Sequence, residues 1–275
     1  MNCPDGVIFS ISSLKPNKEE ISFFKETNPL GFVLFKRNFK NISQLSELIN
    51  ELKSITLNEN LLIFVDQEGG RVQRFNNDEF TKFPSQNIFG KLFKENIKKA
   101  KRLSYLTSYL IGWELKRVGI DVNFSPVCDL LFADAHKVIG DRSFDENPKT
   151  VDQLVKEYCK GLRDSGIFPV LKHYPGHGRS EIDTHENVSI INTDLATLKK
   201  TDLIPFTSLK KESLVMLAHI FFNKIDSEVA TYSRKINFLL RNYHKFNGLI
   251  ITDDIGMKGL QDNLNQIVLK SYNAG

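Results

Sequence analysis

Seven short apolar runs constrain the fold of this chain more than any other feature. Most of them are almost continuously apolar, whereas a strand with one solvated face alternates polar and apolar residues. Continuous runs are typical of strands that are covered on both sides in a parallel sheet. The runs are VIFS (7–10), FVLF (32–35), LIFV (62–65), VNFS (122–125), VLKH (170–173), VMLAH (215–219) and LIIT (249–252).

Helical patterns separate several of these runs. Residues 42–54 place apolar side chains on one face, and residues 97–118 and 150–163 do the same. Asp152 and Asp194 lie near plausible helix starts. Strands that alternate with helices predict an α/β fold with a parallel sheet, here of the TIM-type (β/α)8 barrel class. A doubly wound open sheet is the alternative, but its dinucleotide-binding version is disfavoured because no GxGxxG follows an early strand.

Domain count and cellular compartment follow from composition and spacing. No linker or repeat interrupts the 275 residues, which predicts a single barrel domain over residues 1–275. Cys3, Cys128 and Cys159 lie far apart and form no CxxC pair, which favours a reducing cytosol over a disulfide framework or a cysteine zinc site. The start lacks a basic n-region, and every apolar stretch is shorter than the roughly 20 residues of a membrane span. We therefore expect a soluble, cytoplasmic protein.

The formal charge of +4 does not indicate a nucleic-acid partner, because the lysines are scattered along the chain. The densest basic cluster is Lys98, Lys99, Lys101 and Arg102, on the helical pattern of residues 97–118. We interpret this cluster as a solvated helix face. A weak contact with an anion or a membrane surface is the alternative.

Ionisable residues stand at the ends of several predicted strands. Asp66 follows LIFV, Asp129 follows VNFSPVC, and Asp253 follows LIIT, while His173 and His219 end two further runs. The carboxyl ends of barrel strands form the rim on which active sites are built. This repeated placement predicts an active site at that rim.

Asp253 is a candidate nucleophile, because a carboxylate just past a buried strand is well placed to attack an electrophilic carbon. Side chains of successive strand residues point to opposite faces, so Asp253 and Asp254 are not expected to face the same site. We interpret Asp254 as a cap that binds the loop backbone.

Asp66 and Arg142 are candidate sugar contacts. A carboxylate at a strand end can accept hydrogen bonds from two vicinal hydroxyl groups, and Gly69-Gly70 lets the chain turn tightly after it. The alternative is an Asp–Arg ion pair with Arg71 or Arg74 that only pins the loop. Arg142, in GDRSFDENP, can donate its planar fork to a hydroxyl pair, a carboxylate or an acetamide oxygen.

The stretch KHYPGHGRSEIDTH (172–185) raises the question of a metal site. Lys172 and His173 end a strand, so alternation predicts that only one of them points inward. The Pro-Gly between His173 and His177 breaks the helix that would align both on a metal, and neither HxH nor HExxH is present. Asp183 and His185 are two residues apart, so a carboxylate can orient this imidazole as a general acid and base, or the pair can simply staple a loop.

Together these segments resemble glycoside hydrolase family 3, specifically its bacterial cytoplasmic β-N-acetylhexosaminidases of cell-wall recycling. The likeness runs from about Gly31 to Gly259 and therefore covers most of the chain. The motifs that carry it are LFKRN (34–38), DQEGGRVQR (66–74), NFSPVCDL (123–130), GDRSF (140–144), KHYPGHG (172–178) with DTH (183–185), and ITDDIGMKG (251–259).

The resemblance implies a retaining mechanism without a metal or organic cofactor. Asp253 occupies the family's nucleophile position, and His185 occupies the acid/base position with Asp183 as its partner. The substrate implied is N-acetylglucosaminyl-1,6-anhydro-N-acetylmuramic acid and its peptide-bearing forms, a muropeptide rather than a nucleic acid or a membrane. The positions that match the family's grip on the terminal N-acetylglucosamine are Asp66, Arg74, Arg142, Lys172 and His173.

One departure from the family concerns the end of the chain. After ITDDIGMKG the sequence has room for about one helix, whereas family members continue through an eighth strand and a final helix. We therefore expect a barrel that lacks these elements and has two unpaired edges, unless the sequence is truncated, another chain or segment fills the gap, or the N-terminal strand is displaced. The alternatives to an active hydrolase are a sugar-binding remnant and a metal-dependent hydrolase that uses His173, His177, His185 and Asp253. Phosphorolysis in place of hydrolysis is a third possibility, since an imidazole acid/base does not repel phosphate.

Overall fold

A seven-stranded parallel sheet forms the centre of the molecule, of which the computed structural model describes residues 4–133, 135–182 and 188–275. The strands lie side by side in chain order, and each pairs with its neighbour in parallel. Every apolar run identified in the sequence contributes one of them. They are β1 (Asp5–Ser10), β2 (Pro29–Leu34), β3 (Leu62–Val65), β4 (Val122–Asn123), β5 (Phe168–Tyr174), β6 (Leu214–Leu217) and β7 (Leu249–Thr252).

Helices connect successive strands and cover the outside of the sheet. They are α1 (Lys18–Glu26), α2 (Ile42–Ile55), α3 (Asn87–Glu95), α4 (Ile97–Lys116), α5 (Pro148–Asp164), α6 (Leu195–Lys200), α7 (Arg234–Asn242) and α8 (Leu264–Ala274). Short 3-10 segments cover Lys36–Asn38, Gly140–Arg142, Ile204–Lys211 and Ala230–Tyr232. Two small ribbons stand apart from the main sheet, Gln67–Gly69 with Val72–Gln73 and Ser189–Ile191 with Ile220–Phe222.

Side-chain caps fix where the helices begin. Asp194 accepts the backbone N–H of Thr197 and caps α6, as its position predicted. A helix also starts near Asp152, since α5 begins four residues earlier at Pro148, behind an Asn147 cap. Asparagine and proline together set this start, since asparagine accepts the unpaired N–H groups and proline lacks one.

The hydrophobic core has two parts because side chains alternate between the faces of a buried strand. The larger part lies between the sheet and its helices and includes Ile63, Val65 and Leu171. The smaller part occupies the opposite face, inside the curled sheet. Its buried members are Phe64, Val122, Phe124, Val170, Leu214 and Met216. Covering on both faces explains why the runs are continuously apolar.

The outer strands of the sheet are β1 and β7 in the part of the chain that the structure describes. One helix, α8, follows β7, as the sequence indicated. The predicted parallel α/β class is therefore confirmed, while its assignment to the TIM-type (β/α)8 barrel class stays a prediction. Within the same ranges, no helix combines the length and apolar character that crossing a membrane requires.

Candidate active site

Lys172 forms the centre of an ion-pair network at the carboxyl end of the sheet. Its ammonium group donates to Asp66 Oδ1 at 2.9 Å and contacts Glu68 Oε1 at 2.6 Å. Lys172 and Glu68 are each only 2% exposed, so the charges lie almost entirely out of solvent. Asp66 follows β3 and Lys172 lies on β5, so the contact joins two strands that are not neighbours.

Two arginines complete this network. Arg142 binds Glu68 with two parallel hydrogen bonds of 2.9 Å, from Nε and from Nη2. Arg74 donates to Asp66 Oδ2 at 3.0 Å and is one-third exposed, so it lies at the mouth of the site. We call Asp66, Glu68, Arg74, Arg142 and Lys172 the ion-pair network. It contains three cations and two carboxylates, which leaves a net positive charge.

A tight hairpin delivers Glu68 and Arg74 to the network. Gly69 and Gly70 both have positive φ, 94° and 59°, which other residues adopt only with strain. A Cβ on Gly69 would also lie 2.4 Å from the carbonyl oxygen of Pro84. The tight turn inferred from Gly69-Gly70 is therefore confirmed, and its tip allows no side chain.

The network holds its acidic members in the charged form. Burial raises the pKa of Asp66, but Lys172 and Arg74 outweigh it and hold the pKa below its ordinary value. Burial also raises the pKa of Glu68, but Arg142 and Lys172 outweigh it, so the pKa of Glu68 is lowered as well. For Lys172 burial alone would lower the pKa, yet the two carboxylates raise it.

Lys172 and His173 both face the site, so the expectation that only one points inward is wrong. The pairing of β5 with β6 shifts register between Leu171 and Tyr174, and simple alternation fails across the shift. The peptide bond between Lys172 and His173 is cis. His173 is 5% exposed and its Nε2 lies 3.9 Å from Asp253 Oδ2.

Asp129 holds His173 and the following loop in place. Its Oδ2 lies 2.7 Å from His173 Nδ1, and its Oδ1 accepts the backbone N–H groups of His173 and His177. Burial alone would raise the pKa of Asp129. His173 and the backbone N–H of His177 have the larger, opposite effect and lower this pKa to about 2. Asp129 is therefore an ionised anchor, and His173 Nδ1 donates to it.

Asp253 is held by its own backbone. Its Oδ1 accepts the N–H of Asp254 at 2.9 Å, whereas Oδ2 is the oxygen nearest to His173. Burial raises its pKa, but His173 and His219 lower it more, so the carboxylate is ionised. The side chain of Asp254 is exposed and accepts the N–H of Gly256, which confirms its interpretation as a loop cap.

His219 ties the loop after β7 to β6. Its Nε2 lies 3.1 Å from the carbonyl oxygen of Asp254, which can only accept, so Nε2 carries the proton. Nδ1 lies 2.7 Å from the hydroxyl oxygen of Thr231. Burial lowers the pKa of His219. The Thr231 hydroxyl lies between Nδ1 and the carbonyl oxygen of Ala218, to which it donates at 3.1 Å. The ring thus holds the carbonyl group of Asp254, the residue whose backbone N–H binds Asp253.

The remaining candidates are His177, Asp183 and His185. His177 is buried with its ring edge-on to His173, and burial lowers its pKa to about 4. Asp183 and His185 lie outside the described residues. Among the residues that the structure describes, no group of three histidine, cysteine or acidic side chains is arranged to hold a metal ion.

Sequence reasoning missed Glu68 and gave no role to Asp129 or His219. A signal for Glu68 was present, because residues two apart in an extended segment share a face and Asp66 was already a candidate. Asp129 and His219 were recognised at strand ends, but their partners come from elsewhere in the chain. The alternative for Asp66, an ion pair with an arginine, is also observed, since Arg74 binds it.

This arrangement suits chemistry on a polyhydroxylated substrate. The network offers fixed donors and acceptors near Asp66 and Arg74, where the site opens to solvent. An ionised carboxylate with one oxygen tied and the other beside an imidazole is a suitable nucleophile for an electrophilic carbon. The geometry brings the ion-pair network and Asp253 together beside β5.

Comparison with known proteins agrees with this chemistry. The model of the glycosyl hydrolase family 3 N-terminal domain matches residues 5–275. A β-hexosaminidase of Hydrogenovibrio crunogenus is 38% identical over 251 residues, which cover 90% of this chain and 68% of that protein. A β-hexosaminidase of Bordetella avium is 37% identical over 259 residues, 93% of this chain and 73% of that protein.

A solved structure shows the same fold. NagZ from Neisseria gonorrhoeae, in complex with N-trifluoroacetyl-D-glucosamine, superposes with a TM-score of 0.92 at 34% identity. The match covers 99% of this chain and 80% of the neisserial one. Sequence, structure and the match along nearly the whole length agree, and the chain therefore belongs to glycosyl hydrolase family 3, of which it carries the N-terminal domain.

Proposed function

We propose that this protein is a retaining exo-β-N-acetylglucosaminidase of peptidoglycan recycling. It releases N-acetylglucosamine from N-acetylglucosaminyl-1,6-anhydro-N-acetylmuramic acid and its peptides in the cytoplasm, with residues 1–275 acting as one catalytic domain. The relatives' name β-hexosaminidase supports the reaction class. The glucosamine derivative in the neisserial structure supports the sugar.

The observation that carries the proposal is the state of Asp253. It is ionised, its Oδ1 is fixed by the Asp254 amide, and its Oδ2 lies 3.9 Å from His173 Nε2. Oδ2 attacks the anomeric carbon and forms a glycosyl ester as the bond to the leaving oxygen breaks. His185, oriented by Asp183, protonates that oxygen. It then takes a proton from the water that hydrolyses the ester, which restores the carboxylate and retains the configuration.

The ion-pair network binds the terminal sugar in this proposal. Asp66 accepts hydrogen bonds from hydroxyl groups, while Arg74, Arg142 and Lys172 donate to oxygen atoms, and His173 contacts the ring near the reacting carbon. Because each charge already has a partner, binding requires little rearrangement of side chains. The preformed network supports exo action on one terminal residue.

The direct test is hydrolysis of a chromogenic β-N-acetylglucosaminide by the native chain, Asp253→Asn and Asp253→Ala. We expect the substitutions to lower kcat by at least about 10⁴-fold, the scale of losing a catalytic nucleophile. Azide should rescue Asp253→Ala by forming an α-glycosyl azide. Asp254→Asn is the matched control, since Asp254 caps the loop, and it should retain most activity.

Two further measurements separate the alternatives. Product analysis with phosphate present distinguishes hydrolysis from phosphorolysis. Full activity in the presence of a chelator would exclude the hypothesis of a metal-dependent hydrolase. If the folded native chain binds the sugar but does not hydrolyse the substrate, the hypothesis of a sugar-binding remnant is favoured. Wild-type activity in Asp253→Ala would overturn the proposed mechanism.

A further inference from the structure

The outward face of α4 carries an apolar stripe. Leu103 is 36% exposed, Leu106 is 37%, Leu110 is 50% and Trp113 is 52%. Their spacing of three, four and three residues places them in one line along the helix. We call these four residues the α4 stripe. A solvated helix face normally carries polar side chains in this position, so the stripe is unlike its surroundings.

This stripe does not result from a helix that has turned its core face outward. The opposite side of α4 packs normally, with Ala100, Ile111 and Leu115 fully buried. The helix therefore has apolar side chains on both sides. The fully buried contacts of α4 come from this inner face, whereas the outer leucines are only partly buried.

Basic residues extend the stripe at both ends. Lys99 lies four residues before Leu103, and Arg117 lies four residues after Trp113, so both continue the same line. Arg102 and Lys116 flank them and are also exposed. The guanidinium group of Arg117 lies 5.4 Å from the centre of the Trp113 ring. The outer face of α4 is thus apolar in the middle and cationic at its ends.

Acidic groups near α4 leave this face positive. Glu114 is the helix's one acidic residue, and it is turned inward, where it accepts the N–H and hydroxyl of Thr81. Glu157 of α5 binds Lys101, on the side of α4 away from the stripe, and Asp121 lies 3.3 Å from Lys116. The positive charge that remains on this face favours an anionic binding partner.

We propose that the α4 stripe and its basic ends bind the surface of an anionic phospholipid bilayer. The leucines and Trp113 insert at the boundary between headgroups and acyl chains, and the lysines and arginines contact lipid phosphates. Helices that lie on membranes combine these same elements, namely leucine and tryptophan at the apolar boundary and Lys or Arg at the headgroups. The fold is retained, since the inner face of α4 stays packed.

A bilayer fits this face better than a protein does. A stable protein interface needs about 800 Å² from each partner, far more than four partly exposed side chains provide. A second copy of the chain is also disfavoured, because α4 is basic at both ends and either orientation of two such helices brings like charges together. A lipid surface adapts to a narrow convex stripe and supplies the negative charge.

The chain contains a built-in reporter, because Trp113 is its only tryptophan. The test measures tryptophan emission and co-sedimentation with vesicles of phosphatidylglycerol and of phosphatidylcholine. We expect binding and a shift of emission to shorter wavelength with phosphatidylglycerol at low salt. Binding should weaken as salt rises and should be much weaker with phosphatidylcholine.

Variants separate the two parts of this surface. Leu106→Gln/Leu110→Gln should lower vesicle binding at least about tenfold, because two inserted side chains are lost. Lys99→Gln or Arg102→Gln should each lower it about fivefold. Leu57→Gln is the matched control, since Leu57 is 75% exposed in the loop before β3, and its binding should equal that of the native chain. All of these side chains lie at the surface, and circular dichroism with thermal unfolding checks that each variant is folded.

Absence of binding to phosphatidylglycerol at low salt would overturn the proposal. Equal binding by the Leu106→Gln/Leu110→Gln variant would also overturn it, since contact would then lie elsewhere. Sedimentation that shows a dimer broken by the same variant, without lipid binding, would assign the stripe to self-association instead. Failure of the glycosidase proposal leaves these outcomes unaffected.

Discussion

The ion-pair network and the α4 stripe depart from the usual distribution of residues in opposite ways. The network places charges where apolar groups normally lie, with Lys172 and Glu68 only 2% exposed. The stripe places apolar groups where charges normally lie, with Trp113 52% exposed. Buried charges and exposed apolar patches are the two departures that carry information about function.

The two regions differ in how each departure is compensated. Every member of the network has an opposite charge within 3.0 Å, so the chain itself satisfies the buried groups. The stripe gains no such compensation from the residues that the structure describes. We therefore expect substitutions in the network to damage the protein itself and substitutions in the stripe to leave it intact.

Lys172→Met should have the largest effect on stability. It leaves Asp66 and Glu68 buried with one cationic partner each, and removal of one member of a buried ion pair costs about 3–5 kcal/mol. Activity should fall with it, because the sugar loses a donor. Chemical denaturation measures the free energy of unfolding. Lys156→Met is the control, since Lys156 pairs with Asp152 at the surface and should cost at most about 1 kcal/mol. Equal losses in both variants would refute the contrast.

Low pH should reduce the free energy of unfolding through the carboxylates of the site, whereas the α4 stripe contains no carboxylate. The pKa of Asp129 is lowered to about 2 in the folded chain, so its contribution is present above its unfolded pKa near 4 and is lost as pH falls through 2. This group alone contributes about 2 kcal/mol, and Asp66 and Glu68 act in the same direction. Urea midpoints at pH 7, 5 and 3 measure the loss. Asp129→Asn should flatten the profile, and an unchanged slope would contradict the assignment.

Thr231→Val should have a smaller effect on stability. It removes the hydroxyl from His219 Nδ1 and should cost about 1–2 kcal/mol. The looser ring no longer fixes the Asp254 peptide, so we expect kcat to fall more than KM changes. Thr231→Ser keeps the hydroxyl and should restore kcat. A loss shared by KM and kcat, without rescue by serine, would indicate general disorder of the loop.

Leu106→Gln/Leu110→Gln should have the smallest effect on the protein in solution. Surface substitutions away from special features change stability by about 0.5 kcal/mol or less. The melting temperature and kcat/KM should equal those of the native chain without lipid. A loss above about 2 kcal/mol would show that the stripe packs within the fold, which would remove the contrast with the network.

The strands and the main site positions were predictable because their signals are local. Each of the seven strands is a short apolar run, and the ionisable residues at the ends of five runs are identified directly from the sequence. Asp66, His173 and Asp253 were identified in this way before any contact was known. Their assigned roles stay predictions, as do those of Asp183 and His185.

The partners of these residues were not predictable because they are set by distant parts of the chain. Glu68 binds Arg142 across 74 residues, and Asp129 binds His173 across 44. The orientation of Lys172 and His173 was misjudged because alternation assumes regular pairing, and β5 shifts register there. No sequence pattern marked that irregularity.

The stripe was missed for a different reason. Residues 97–118 were predicted to have one apolar face, whereas the helix has apolar side chains on two sides. Periodicity alone cannot say whether Leu110 or Ile111 faces the core. The basic cluster beside them was interpreted as a solvated face, and only burial separates the two sets of leucines. Helical patterns with two apolar faces therefore need a structure before either face is assigned.

The long sequence separations within the ion-pair network have a consequence for folding. Lys172 lies 106 residues from Asp66, so their contact closes a long loop that includes α3, α4 and α5. Long-range contacts form slowly because the entropy of loop closure is lost before the contact is gained. After dilution from denaturant, helical circular dichroism should therefore recover ahead of enzymatic turnover, and the delay would time the assembly of the site.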